Sequence, residues 1–352
     1  MLQLSKYFDA STTTMKIVGV LATSALSSYY LYRKIRSYTY LQGQKRQRPS
    51  RLIVITGCDS GLGFAMTQWA AKLGYKVLAG CLNDNGEGAQ KLRNQFPDQV
   101  FVTGLNVTDL RSLENFHSQC RQILETHEGK LRLWAIISNA AICMLGEYFW
   151  QTHLQREQQM DVNFWGTVNF ITEFRTLLFE NKARVLVTSS DCADYPLPFL
   201  AAYCASKSAV HGWTQSLRFR SCKVWRDFAM SSGLFANFGP QYKQMVEEMS
   251  DADKAFYGEY FENFMSKKVE IFGSKNRKDV GVVDSPPHRS AFLFLLENDI
   301  SNISVYRDPS FIQRVLHVLF QTLPQRYVDK MANFLLNHDA SLRWQEPTRQ
   351  SS

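Results

Sequence analysis

The chain has no Cys-x-x-Cys pair and no cysteine–histidine cluster at metal-ligand spacing. That excludes a zinc ribbon, a zinc finger or a dithiol redox motif, and no metal is expected. Its seven cysteines, Cys58, Cys81, Cys120, Cys143, Cys192, Cys204 and Cys222, are odd in number and scattered. A disulfide framework is therefore excluded, and a reducing environment for the folded part is expected. Internal repeats and low-complexity tracts are also missing. A net charge is absent where nucleic-acid binding would need one: the chain carries +8, but residues 1–51 hold nine Lys/Arg against Asp9 alone, which accounts for all of it. Residues 52–352 are formally neutral, so they have no basic excess to offer a polyanion, and nucleic acid is not expected as a partner.

The chain has little of what a membrane span requires. Residues 17–32 are uncharged but number only 16, against the roughly 20 apolar residues of a spanning helix. Tyr29, Tyr30 and Tyr32 suit an interface, and Arg33, Lys34 and Arg36 follow at once. This asymmetry predicts a membrane anchor with the folded part on the cytosolic side. An interfacial helix and a mitochondrial targeting segment are the alternative readings. The organisation expected is an anchor or targeting segment over residues 1–36, a basic linker over 37–50, a core over 51–240 and a C-terminal extension with substrate-loop helices over 241–352.

What is present within the core is an alternation of short apolar runs and helical periodicity. Strands are expected at 52–55, 76–80, 99–105, 134–138 and 184–189, and helices at 64–73, 110–126, 154–178 and 203–219. Such alternation means an α/β fold with a doubly wound parallel sheet. A sixth strand is expected within 225–234, although Asp227, Ser231 and Ser232 make it poor. Residues 235–275 are rich in aromatics and Met, which fits both helix packing and an apolar pocket lining. Helices are also expected over 291–296 and 314–335, with residues 274–287 as a loop.

Three segments carry chemistry. Thr56, Gly57, Asp59, Ser60, Gly61, Leu62 and Gly63 belong to a TGxxxGxG turn between a strand and a helix. There glycines permit a tight turn and a close backbone approach to a pyrophosphate. Tyr203 and Lys207 are four residues apart, so they share one helix face. A nearby ammonium favours the phenolate and makes tyrosine a usable acid/base. Ser190, thirteen residues before the tyrosine and at a strand end, is placed to hydrogen-bond a substrate oxygen and the phenol. Asn163 lies within the long helix and is read either as the holder of a water linked to Lys207 or as an asparagine bonded to helix backbone. Together the turn and the Tyr–Lys pair point to hydride transfer between a nicotinamide and an alcohol or carbonyl. Asp59 opposes a 2′-phosphate and residues 80–90 hold no base, so NAD is expected over NADP. The usual acid at the end of the second strand is absent, because Cys81 stands there; Asp84 is the substitute considered.

These segments resemble the short-chain dehydrogenase/reductase family, in its order and approximate spacing, over residues 51 to about 240. Within it the sequence is similar to the branch holding retinol, 17β-hydroxysteroid and D-β-hydroxybutyrate dehydrogenases. The resemblance implies a single Rossmann-type sheet, catalytic roles for Ser190, Tyr203, Lys207 and Asn163, and cofactor contacts from Asn106, Val107, Asn139, Ala140 and Gly233. It also implies a lipophilic substrate such as a steroid (an ecdysteroid precursor among the candidates) or a retinoid, a membrane association at the endoplasmic reticulum or in mitochondria, and a homodimer. A small hydroxy acid is the second substrate class, with Lys243, Lys267 or Lys268 as its cationic anchor. A catalytically degenerate scaffold is the reading from another class. Four positions depart from the family pattern: Ala141, Asn106, Ser232 and Asn237. All lie on the cofactor side.

Overall fold

The computed structural model describes residues 48–194, 196–217, 222–227, 238–273, 286–297, 305–307 and 327. Outside them lie the uncharged stretch at 17–32, its flanking basic residues up to 47, Ser232, Gly233, Asn237 and all of the helix expected over 314–335 except residue 327.

Seven parallel strands form one sheet in the order β3-β2-β1-β4-β5-β6-β7. They are β1 (Arg51–Thr56), β2 (Lys76–Cys81), β3 (Val100–Gly104), β4 (Arg132–Ser138), β5 (Arg184–Ser190), β6 (Cys222–Asp227) and β7 (Val305–Arg307). The helices are α1 (Gly61–Lys72), α2 (Glu87–Gln95), α3 (Leu110–Thr126), α4 (His153–Met160), α5 (Gly166–Glu173), α6 (Arg175–Asn181), α7 (Ala201–Ser216), α8 (Phe238–Glu248), α9 (Asp251–Gly273) and α10 (Pro286–Glu297). Because both faces of the sheet are covered, strands read as continuous apolar runs whose alternate residues go to opposite cores. Ile53 and Ile55 pack with Trp69 of α1 and Phe292 of α10. Leu52 and Val54 pack with Phe116 of α3 and with Phe170 and Phe174.

Three expectations need correction, and two elements were not anticipated. The helix expected over 154–178 is interrupted: α4 passes into a π-helical turn, Asp161–Trp165, and a further break at Phe174 separates α5 from α6. A π-turn inserts an extra residue per turn and commonly marks a functional position; Asn163 sits inside it. The sixth strand, expected within 225–234, begins three residues earlier at Cys222 and is described to Asp227, with Trp225 pairing with Thr188 and Asp227 with Ser190; residues 228–234 lie outside the described set. Residues 286 and 287, expected in a loop, begin α10. Helix α2 was not anticipated, because its polar sequence has few apolar residues to show a period; only Ala89 and Leu92 are buried. The short β7 was likewise unforeseen.

Strand order reverses between β1 and β4, which lie side by side with their chains continuing to opposite flanks. In such sheets the crevice at the C-terminal ends beside this switch is where ligands bind. Thr56, Asn139 and Ser190 all lie at those ends. Among the described residues no helix is long and apolar enough to cross a membrane.

Candidate active site

The glycine turn runs from β1 into α1. Gly57 has φ +71°, a left-handed conformation that favours glycine. A Cβ there would come within 2.8 Å of Ala140 Cα, and a Cβ on Gly63 would overlap the Gly57 carbonyl oxygen. The turn is thus as close to the β4 exit and to its own helix as a backbone can be. Thr56 fixes that exit: its Oγ1 accepts from the amides of Asn139 (3.0 Å) and Ala140 (2.9 Å). The Asn139 side chain returns the tie, donating to the carbonyls of Thr56 (3.0 Å) and Gly57 (3.3 Å). Ser60 is the N-cap of α1 but makes no side-chain capping bond. The first-turn amides of α1 are therefore left without a side-chain acceptor at a helix N-terminus, which suits a pyrophosphate. Gly61 and Leu62 of that turn are half-buried.

Other expected cofactor residues sit as follows. Asn106 accepts from Thr108 N (3.1 Å) and Thr108 Oγ1 (2.8 Å), and its own amide donates to Ser112 Oγ (2.9 Å). Val107 is buried against Gly166 at the π-turn. Asp84 lies past β2 beside Gly104. Arg93 of α2, which the sequence reading overlooked, reaches back to this place: it donates to the carbonyls of Asp84 and Val102.

On the other side of the switch, Ser190 ends β5 and Tyr203 and Lys207 project from one face of α7. All three are buried. The Ser190 hydroxyl accepts the Cys192 amide at 3.2 Å and acts on the phenol to draw the Tyr203 pKa down. Burial outweighs it, and the Tyr203 pKa is raised well above the ordinary value. The expected lowering by Lys207 is thus not the dominant effect. Lys207 Nζ lies 5.8 Å from the centre of the tyrosine ring and donates to the Thr188 carbonyl at 3.2 Å. Burial brings the Lys207 pKa down to about 8. Asn163 faces this group from the π-turn. Its side chain accepts from Ile142 N (2.8 Å) and donates to Ile142 O (2.8 Å) and Ser206 Oγ (2.9 Å). It therefore ties the β4 exit to α7 one residue from Lys207.

Around the phenol lie three thiols and an aromatic wall. Cys143, Cys192 and Cys204 all act electrostatically on Tyr203, and the Cys192 and Cys204 thiols hydrogen-bond one another. Beyond them Leu145, Trp150, Met245, Phe261 and Phe264 pack in one cluster with Tyr203. Met245 belongs to α8, and Phe261 and Phe264 to α9, which is kinked at Gly258 (φ 43°). Lys243, a candidate anchor for an anionic substrate, is exposed; the side chains of Lys267 and Lys268 lie outside the described set.

A ladder of buried glutamines supports this wall. Gln159 accepts from Met144 N (3.0 Å) and donates to Gln151 Oε1 (3.0 Å), while Gln151 donates to the carbonyls of Met144 (3.0 Å) and Gly146 (3.2 Å). Gln155 caps α4 through Thr152 and donates to Gln241 O (2.9 Å) and Gln244 Oε1 (3.2 Å) of α8. The ladder fixes the 143–146 segment beneath the thiols and holds α8 over them. The sequence reading missed these residues, although Gln151, Gln155 and Gln159 recur every four residues, and Thr152-x-x-Gln155 is a capping-box pattern.

The short chain dehydrogenase family model matches residues 51–223. Human 17-beta-hydroxysteroid dehydrogenase type 2 is 34% identical over 190 residues, 53% of this chain and 48% of that protein. This chain thus spans about half the length of the human protein. Rat mitochondrial D-beta-hydroxybutyrate dehydrogenase is 27% identical over 266 residues, covering 72% and 76% of the two chains. Mouse retinol dehydrogenase 16 is 27% identical over 248 residues, covering 68% and 76%.

Proposed function

We propose, from the match of residues 51–223 to the short chain dehydrogenase family model and from the site geometry, an oxidoreductase that interconverts a secondary alcohol and a ketone on a lipophilic substrate, using a nicotinamide dinucleotide. The observation that carries this is the convergence of Ser190, Tyr203 and Lys207 beside an uncapped glycine-turn helix at the switch of the sheet. The residues fit the cofactor: the cradle at Gly57 and Gly63 excludes any Cβ, and the α1 N-terminus offers amides to a pyrophosphate. Gly57, Ser60, Gly61, Leu62 and Gly63 would hold the phosphates, with Asp59 at the adenine ribose and Asn106 and Val107 nearer the adenine; Gly233 lies outside the described residues. NAD is the preferred form, since no base occurs between 80 and 90 and Arg93 is engaged with backbone carbonyls.

When bound, the nicotinamide supplies the hydride acceptor or donor. The protein's own groups handle the oxygen and its proton. Ser190, whose hydroxyl lowers the Tyr203 pKa, orients the substrate oxygen against Tyr203. Tyr203 Oη receives the hydroxyl proton in oxidation and returns it in reduction. With its pKa raised, the phenol is held protonated, the state ready for reduction; oxidation needs a nearby positive charge to release that proton. Lys207, near pKa 8, is the group placed to supply this charge and to pass the proton on. Asn163 fixes the distance between Ile142 and α7 across which the relay operates. Water is excluded by the Cys143–Cys192–Cys204 cluster and the aromatic wall.

A steroid or retinoid suits that wall, which is apolar and contains no described cation, whereas a hydroxy acid would require one. Attachment to an endoplasmic-reticulum membrane through residues 17–32, with a mitochondrial membrane as the alternative, and homodimer formation remain part of this proposal. Titrating the protein with NAD and NADP by tryptophan fluorescence tests its foundation. Micromolar binding is expected. A stable fold that binds neither nucleotide would instead favour a membrane-tethered scaffold.

A further inference from the structure

We propose that Asp59 sets the preference for the unphosphorylated dinucleotide by filling, with its own carboxylate, the backbone anion site that a 2′-phosphate would otherwise occupy. The inference rests on the nicotinamide reading above. Asp59 Oδ2 accepts the Leu82 amide and Oδ1 accepts the Asn83 amide, both at 2.9 Å. These are the first two amides beyond β2, the place where the 2′ end of the adenine ribose is recognised in this class of sheet. Successive amides aimed at one point form a concave anion site. Here the anion is part of the chain, held by two charge-assisted bonds. The selectivity that other folds of this class draw from an acid on β2 is thus moved to the glycine turn.

Three further observations support the assignment. Asp59 is fixed on both sides: Cys58 N donates to Gly80 O at 2.9 Å, and Gly88 of α2 packs so closely on the Asp59 carbonyl that a Cβ there would overlap it. Cys81, where an acid would stand, is a neutral buried thiol whose pKa is pushed up to about 12, by burial first and then by Asp59. Arg93 acts electrostatically on the same thiol while it donates to the carbonyls of Asp84 and Val102, so without Asp59 the locality would hold two open amides beside a positive charge, with Asp84 the remaining acid. That combination accepts a phosphate.

The test compares the full chain with its Asp59→Ser and Asp59→Asn variants, by titration with NAD, NADP and adenosine 2′,5′-bisphosphate and by amide hydrogen exchange at Leu82 and Asn83. Asp59→Ser is expected to bind NADP and the bisphosphate about tenfold tighter than the unaltered protein, with the gain shrinking as salt is raised. Asp59→Asn, which keeps the shape but loses the charge, is expected to fall between. Exchange at Leu82 and Asn83 should quicken in Asp59→Ser. The inference is overturned if Asp59→Ser, folded and still binding NAD, gains no affinity for either 2′-phosphorylated ligand, or if the two amides exchange at an unchanged rate. Failure of the unaltered protein to bind any of the three nucleotides overturns the nicotinamide reading itself, and the inference with it.

Discussion

In the site we propose, the backbone is the recognising element at the ends of β1 and β2, whereas across β4, β5 and α7 side chains from distant segments are. The nucleotide side depends on glycines whose Cβ positions are already filled, on an uncapped helix start and on amides that Asp59 holds. The substrate side depends on a buried serine, tyrosine and lysine set among three thiols, and on glutamines that hold α8 in place. A backbone site is specified by a few contiguous residues. A side-chain site needs several segments to arrive together, so its failure modes are graded and its parts are harder to see in advance.

The largest expected effect is on the side-chain half. Tyr203→Phe should reduce turnover by about three orders of magnitude, the range of a lost acid/base group, while thermal unfolding and nucleotide binding stay close to those of the unaltered protein. Loss of the fold in this variant would remove the distinction between the halves. Next is Gly63→Ala on the backbone half. The new methyl must displace the Gly57 carbonyl, so a destabilisation of about 1–3 kcal/mol is expected together with loss of both nucleotides in a binding titration. A variant that binds normally would show that the cradle is looser than its geometry.

Gln155→Leu probes the support of the substrate side. It leaves the Gln241 carbonyl and the Thr152 amide without their partner, costing about 1–3 kcal/mol. KM for a lipophilic alcohol should rise with little change in kcat, since α8 covers the pocket without touching the reacting atoms. An equal fall in kcat would place Gln155 in the chemistry instead.

The smallest effect is on the pH dependence of stability. Lys207 loses its proton near pH 8 when folded but near 10.4 when unfolded. Between these values the unfolded chain binds more protons, so stability rises with pH. Above about pH 10 Tyr203 opposes this, because the folded state keeps the phenolic proton that the unfolded state gives up. Lys207→Met should therefore flatten the rise of Tm between pH 8 and 10; an unchanged slope would mean that Lys207 keeps an ordinary pKa.

The same contrast explains what the sequence disclosed. The glycine turn, Ser190 and the Tyr203–Lys207 pair were legible because each is a local pattern on a strand end or helix face. Strands β1, β2, β4 and β5 were legible because burial on both faces makes them apolar nearly throughout, and the edge strand β3 because its Val100–Val102 run is apolar although mostly half-buried. Helix α2 escaped because it buries only Ala89 and Leu92. The π-turn at Asn163 escaped because nothing in Asp161–Trp165 departs from helical composition. Arg93 escaped because a window ending at residue 90 ignores a helix that folds back over β2, and the glutamine ladder because its spacing has meaning only once Met144 and α8 are known to lie beside it. The raised Tyr203 pKa is likewise a property of assembly: the thiols and the wall that desolvate it come from four separate segments.

The central claim is that these two halves together oxidise or reduce a lipophilic alcohol or ketone. The most direct measurement is absorbance-detected cofactor reduction by membranes carrying the full chain, with NAD and NADP each offered against sterols, retinol and 3-hydroxybutyrate, alongside the Tyr203→Phe variant. The account predicts turnover with NAD and a steroid or retinoid alcohol that disappears in the variant. Turnover that survives in Tyr203→Phe would contradict it.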